Sequence, residues 1–409
     1  MKRLWLLVIV PPLLLARAEA KDSKPKEEDE TPAALQTSAG FKRGEAAFLA
    51  AKKTLLDEYY RKGLSEDDLY RAATLGLLNF VDPDLKRWNT LLSPDELKEL
   101  HNSLKGEIVG VGVALRFSEE TGYGEVLDVL PGTAAEKAGM KKNDLIVSVN
   151  GKLYKGLSID ALVKDIRGKA GEVVKMMALR GDKMLPFSLT RAVVTFDAVE
   201  WRTLPLGARQ AGLLCIRSFT EKTPALVDQA FAHFEQAKAA AIVVDLRGNH
   251  GGSFEDALTV TERFVASGQT MVRLQMRAGE SARVSKGTPR LLGLPLAVLV
   301  DDDTASGAEL FAAALRDARH AAVIGKRTFG KGTVQRVDEL PNGYGIKYTV
   351  GLFSTPSGRA IQQDGLVPDV EIEFDEVAIE RVRSESEAQR RLSVDAPLRT
   401  ALGLLAPKI

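Results

Sequence analysis

The run Leu296-Ala297-Val298-Leu299-Val300 is apolar without a break, and a helical stretch begins only six positions later, at Ser306. A second run, Ala241-Ile242-Val243-Val244-Asp245-Leu246, precedes a helix from about Phe254 in the same way. Short apolar strands alternating with helical stretches from about 195 to 375 restrict this part of the chain to an α/β core. Pro341-Asn342-Gly343, placed before the run from Tyr344 to Phe353, reads as the turn of a hairpin. With 409 residues the chain is long enough for two or three such bodies.

Ser306 stands in Asp301-Asp302-Asp303-Thr304-Ala305-Ser306-Gly307-Ala308-Glu309, and Lys331 in Thr328-Phe329-Gly330-Lys331-Gly332-Thr333-Val334-Gln335. A serine hydroxyl is a poor nucleophile near neutral pH until a neighbouring group takes its proton, and an ordinary lysine is already protonated. Burial lowers a lysine pKa and converts the ammonium into a base. Taken alone, Ser306 also reads as a helix N-cap. Backbone N–H groups at the helix start, Gly307 first, would lie near its hydroxyl and favour an oxyanion. Lys331 and Gln335 are four apart, so in an extended segment they would share a face, with Gln335 orienting the amine.

These segments, with Asp245-Leu246-Arg247-Gly248-Asn249-His250-Gly251-Gly252 before them, resemble the C-terminal processing peptidases, also called tail-specific proteases. That family carries Ser-Ala-Ser-x-x-Glu and Phe-Gly-Lys-Gly-x-Val-Gln motifs with serine and lysine 25 positions apart, the spacing found between 306 and 331. The resemblance turns the reading of Ser306 from cap to nucleophile. It implies a Ser306–Lys331–Gln335 arrangement, an oxyanion hole formed by Gly307 and Gly252, and an acyl-enzyme on a core of the ClpP/crotonase-like type. Thr304 and Ala308 replace serines frequent in the family motif, neither at the nucleophile position.

Leu130-Pro131-Gly132-Thr133 through Leu145-Ile146, followed by Asn150-Gly151, resembles a PDZ domain, with Asn143 where glycine is usual. Asparagine tolerates the left-handed backbone that glycine would adopt there. Val109-Gly110-Val111-Gly112 matches the loop whose N–H groups hold a terminal carboxylate, and the strand after it, Val113 to Phe117, would pair with the peptide as an added strand. Ile159, Leu162 and Ile166 recur on one helical face, either lining a pocket for the last side chain or packing into the core. Arg167 follows that helix where related proteases couple the PDZ domain to the active site, so it reads either as a gate or as an ordinary surface or structural arginine.

At the N-terminus, Lys2 and Arg3 precede an apolar stretch from Leu4 to Ala16 and the small-x-small sites Ala16-Arg17-Ala18 and Ala18-Glu19-Ala20, the pattern of a secretory signal peptide. The expected organisation is a multidomain α/β protein: signal peptide 1–20, disordered linker 21–40, N-terminal helical domain 41–104, PDZ domain 105–192, protease core 193–375 and C-terminal helical segment 376–409. The resemblance implies homodimerisation through the helical domain, although Val81-Asp82-Pro83-Asp84-Leu85 departs from the family pattern after the proline.

A net charge of +1 leaves no electrostatic footprint for nucleic acid. Cys215 is the only cysteine, so no intramolecular disulfide forms, and the four histidines have no zinc-ligand spacing. The expected protein is an exported, periplasmic serine endopeptidase without metal or cofactor. It would take protein substrates by apolar C-terminal tails, with an adaptor or activator as a further partner. Two rivals stand beside it: a non-catalytic PDZ scaffold serving another protease, and a crotonase-like acyl-thioester enzyme.

Overall fold

A computed structural model describes residues 4–6, 43–81, 88–118, 120–375, 378–379 and 388–408. The linker expected over 21–40 lies outside these residues, as does all of the apolar leader except Leu4–Leu6.

Six strands build the central sheet in the order Val199–Leu206, Arg209–Ile216, Ala241–Asp245, Leu296–Val300, Ala322–Gly325 and Val370–Glu371. The first two form an antiparallel hairpin, and every pairing from Arg209–Ile216 onward is parallel. Successive strand residues face opposite sides of a sheet. Leu214, Ile216, Val244, Val298 and Val300 therefore share one core with helices Thr223–Gln236, Phe254–Thr261 and Gly307–Arg319. Leu213, Cys215, Val243, Ala297 and Leu299 meet Leu398, Ala401, Leu402 and Leu405 of the helix Ala396–Leu405 on the other face. Burial on both faces is the reason these strands read as unbroken apolar runs.

A second sheet runs Thr333–Glu339, Gly345–Ser354, Thr270–Met276, Gly279–Val284. Its first hairpin turns through Asn342-Gly343, where Gly343 has φ 79°, as the sequence predicts. Leu4–Leu6 pairs with the outer edge of Thr333–Glu339, Leu6 opposite Gln335. The mixed α/β architecture thus matches the expectation.

The PDZ sheet orders Val113–Ser118, Tyr123–Val129, Leu145–Val149, Val173–Arg180 and Lys183–Thr190, with helix Ile159–Ile166 packed on it. Asn143 has φ 70°, the left-handed conformation expected of it. Val113–Ser118 is the end strand of this sheet, paired with Tyr123–Val129.

Helices Gly44–Glu58 and Glu66–Val81 belong to a unit of their own, Leu14–Leu91. They touch through Phe48 and Tyr70, with ring centroids 6.3 Å apart, and Lys52 Nζ donates to Tyr70 Oη at 2.6 Å. Phe48, Leu49, Leu55, Leu77 and Phe80 remain exposed. The third helix of the segment expected over 41–104, Pro94–Leu104, lies in the unit that holds the protease core, its Leu97 and Leu104 packed with Val337. It starts with a capping box: Ser93 N donates to Glu96 Oε2 at 2.8 Å and Glu96 N to Ser93 Oγ at 3.3 Å.

Candidate active site

Ser306 lies at the junction of the loop after strand Leu296–Val300 and the helix Gly307–Arg319, with φ 60° and ψ −117°. A non-glycine residue at positive φ stores on the order of 1–3 kcal/mol of strain and persists only where its surroundings hold it. Three backbone bonds do so: Ser306 N to Glu309 Oε2 (2.7 Å), Leu310 N to Ser306 O (3.0 Å) and Ala305 N to Asn249 O (2.9 Å). The side chain is fully buried, and among the described residues its Oγ has no hydrogen-bond partner.

The glycine turn lies directly against it. A Cβ built on Gly251 would stand 2.9 Å from Ser306 Cβ and 3.0 Å from Gly307 N, so only glycine leaves that space open. Gly252, at φ 148°, pairs with Phe219, and a Cβ there would lie 2.2 Å from Phe219 O. Gly307 is the first helical residue, and its N–H has no acceptor within the helix. Of the two glycines of the turn, it is Gly251 that lies against Ser306 and Gly307 N, while Gly252 lies against Phe219.

Side chains distant in sequence fix this turn. Asn249 accepts from Gly251 N (2.8 Å) and donates to Ile216 O (2.9 Å). Arg247, 4% exposed, is bound on one side by Asp245 (2.9 and 2.8 Å) and on the other by Asp395 (2.9 and 2.8 Å). Asp395 also caps the helix Ala396–Leu405 through Leu398 N. Cys215 is buried beside Asp245, and burial pushes its thiol up to about 11, so it is an inert core residue.

Asp301 accepts from Gly248 N (2.8 Å) and Thr304 Oγ1 (2.8 Å). Burial nevertheless pushes its carboxyl from 3.8 up to about 7. The folded state thus holds this proton more firmly than the unfolded chain. Its stabilising contribution is complete below about pH 4 and is lost as pH rises through about 7. Replacing Asp301 by Asn should remove that slope: urea midpoints of the variant will gain on the parent between pH 5 and pH 8. Parallel curves would exclude the linkage.

Lys331 (2% exposed) and Gln335 (0%) are both buried. The strand starts at Thr333 and carries a register shift between Val334 and Gln335, so simple alternation from 331 to 335 does not hold along it. What joins the lysine segment to the serine is Glu309, a residue that motif reading left without a role. Its Oε2 accepts both Ser306 N (2.7 Å) and Lys331 N (2.9 Å), while Oε1 accepts Gly330 N (2.7 Å) and Thr328 Oγ1 (2.6 Å). Burial raises the Glu309 pKa, and the Thr328 hydroxyl and the three N–H groups oppose that rise.

In the PDZ domain, Val109 and Gly110 sit in the strand Glu107–Gly110 opposite Val193 and Ala192. The loop proper is Val111-Gly112, whose carbonyls accept Ala135 N and Leu130 N at 2.9 Å each. Gly112 has φ 88°, and a Cβ on it would clash with Thr133. Of the three helical residues, Leu162 and Ile166 are buried in the domain core and Ile159 is half-buried at its margin. Arg167 caps the C-terminal end of the same helix. Burial lowers its pKa, and the charge of Glu99 in the helix Pro94–Leu104 opposes this. His250 Nδ1 lies 3.1 Å from Asp303 O. Among the described residues no cluster of three or more His, Cys, Asp or Glu is placed to hold a metal ion.

The model of peptidase family S41 matches residues 210–372, and a PDZ domain model matches residues 125–180. Carboxy-terminal processing protease CtpA of Bacillus subtilis (strain 168) is 32% identical over 333 residues, covering 80% of this chain and 69% of that protein. This chain belongs to peptidase family S41. It is a serine-type, C-terminal processing peptidase with a PDZ domain ahead of its core. A Staphylococcus aureus (strain MRSA252) protein named as CtpA-like serine protease is 31% identical over 324 residues, 78% of this chain and 63% of that one. Among solved structures, the photosystem II D1 C-terminal processing protease is 29% identical with a TM-score of 0.53, covering 85% of this chain and 99% of that one. The S41 assignment sets aside the acyl-thioester rival and favours an enzyme over a scaffold.

Proposed function

We propose that this S41 peptidase is an endopeptidase that captures apolar C-terminal tails in its PDZ domain and cleaves the bound chain with Ser306 and Lys331 through an acyl-enzyme. The observation carrying the proposal is the single carboxylate oxygen of Glu309 that binds the backbone of both Ser306 and Lys331. Ser306 and Lys331, 25 positions apart along the chain, are thereby tied to one oxygen atom.

In the proposed reaction Ser306 Oγ attacks the scissile carbonyl carbon as Lys331 Nζ takes the hydroxyl proton. The carbonyl oxygen becomes an oxyanion between Gly252 N and Gly307 N. The C–N bond then breaks and Lys331 returns the proton to the departing amine. Water, deprotonated in turn by Lys331, hydrolyses the ester and restores the serine. A neutral amine is required at the start, and Lys331 is buried at 2% exposure. Gln335, buried two residues into the adjoining strand, would orient that amine.

Recognition is assigned to Val109, Gly110, Val111 and Gly112 as the carboxylate loop. The free edge of Val113–Ser118 takes the peptide as an added strand, Ile159 contacts the last side chain, and Leu162 and Ile166 back it. Arg167 would relay occupancy to the core. The exposed apolar residues of helices Gly44–Glu58 and Glu66–Val81 support a homodimer through that unit. The basic and apolar N-terminus supports export to the periplasm, where an adaptor delivering substrates would act.

An unstructured protein ending in apolar residues should be cut at least tenfold faster than the same protein ending in charged residues, compared by kcat/KM. Equal cutting of both would sink the tail-recognition reading. Tail binding without any cutting would favour the scaffold.

A further inference from the structure

Gly330 and Gly332 bracket Lys331, and both are bonded to the turn Ile361–Leu366. Gln363 N donates to Gly330 O at 2.9 Å, and Gly332 N donates to the side-chain Oε1 of Gln362 at 2.9 Å. Thr328 N donates to Leu366 O at 3.2 Å, and Leu366 N donates back to Thr328 Oγ1 at 2.6 Å. The approach is too close for any side chain on the lysine segment: a Cβ on Gly332 would lie 2.6 Å from Gln362 N, and one on Gly330 3.0 Å from the Gln363 carbonyl. Gln363 itself takes φ 71°, a costly backbone state, in the position from which its N–H reaches Gly330. The turn is closed by Gly365 N on Ile361 O at 2.9 Å and rooted in the core by the fully buried Ile361.

We propose that Gln362 is a positioning residue for Lys331: its side-chain amide, by taking the Gly332 N–H, keeps the base at the height at which it serves Ser306. This rests on the reading of Lys331 as the base. The other bonds between the two segments use the backbone of the turn or the Thr328 hydroxyl. The Gln362 side chain can therefore be altered without cutting them.

The test compares Gln362→Met, which keeps the length and loses the acceptor, with Gln362→Glu, which keeps an acceptor. Expected for Gln362→Met is a fall in kcat of about 10- to 100-fold with KM within twofold and only a modest fall in Tm from the unpaired Gly332 N–H, the scale of a base misplaced by a fraction of an ångström to an ångström. The acidic limb of its kcat–pH profile should move, since that limb reports the base. Gln362→Glu should recover most of the kcat. Unchanged kcat and pH profile in Gln362→Met, or equal loss in both variants, overturns the proposal. Should Gln362→Met fail to fold, Gln362→Asn, whose shorter arm withdraws the oxygen from Gly332 N, decides by the same comparison. Lys331→Ala is assayed alongside. Full activity there defeats the base reading itself, and inactivity there beside a fully active Gln362→Met defeats only the role of Gln362.

Discussion

Ser306→Ala and Lys331→Ala should each lower kcat/KM for peptide hydrolysis by about 10⁴-fold or more, with tail binding by the PDZ domain preserved. The loss should be as deep in the double variant as in either single one, because nucleophile and base act in one proton transfer. Neither replacement unpairs a protein partner of the Ser306 hydroxyl, which has none among the described residues, so the serine variant should keep the parent's thermal midpoint. Residual turnover above a tenth of the parent in either single variant would refute the dyad. A reactive fluorophosphonate gives an independent readout, labelling the parent and sparing Ser306→Ala.

Glu309→Ala should cost both activity and fold. Removing the carboxylate leaves the N–H groups of Ser306, Gly330 and Lys331 and the Thr328 hydroxyl without their acceptor in a site closed to water. At about 1–3 kcal/mol for each buried donor left unsatisfied, the destabilisation is at least ~4 kcal/mol. Glu309→Gln is the more informative change. It exchanges one carboxylate oxygen for an amide NH₂, which must face either the pair Ser306 N and Lys331 N or the pair Gly330 N and Thr328 Oγ1, donor against donor. Activity should fall at least 10²-fold in Glu309→Gln while most of the protein stays folded, measured by circular dichroism melts beside a cleavage assay. Parent-like turnover in Glu309→Gln would show that the carboxylate does not set the catalytic geometry.

What the sequence reveals and what it conceals follow from the range of the interactions. The central sheet is legible because strands buried on both faces, such as Ala241–Asp245 and Leu296–Val300, carry a signal in every residue. The glycines at 251, 252, 330 and 332 are legible because close backbone approach admits little else. Glu309 stood in a recognised motif, yet its role could not be inferred, since its partners lie as far off as position 331 and a helix start with a glutamate in its first turn looks like ordinary capping. Gln362 gave no signal at all: its bond to Gly332 spans 30 positions. The split within 41–104 was hidden for a similar reason, because three amphipathic helices look alike until the partner of Leu97 and Leu104 is known. Leu162 and Ile166 met the helical period equally well as pocket or as core, and only their burial places them in the core.

The bond between Arg247 and Asp395 also bears on when this enzyme can first act. The glycine turn beside Ser306 is anchored by a carboxylate 148 residues further along, at the head of a helix that covers one whole face of the central sheet. The serine, the lysine segment and the PDZ domain all precede that carboxylate along the chain, and without it the buried Arg247 keeps only Asp245 as its ionic partner. The glycine turn beside Ser306 is therefore finished only once the helix headed by Asp395 has docked.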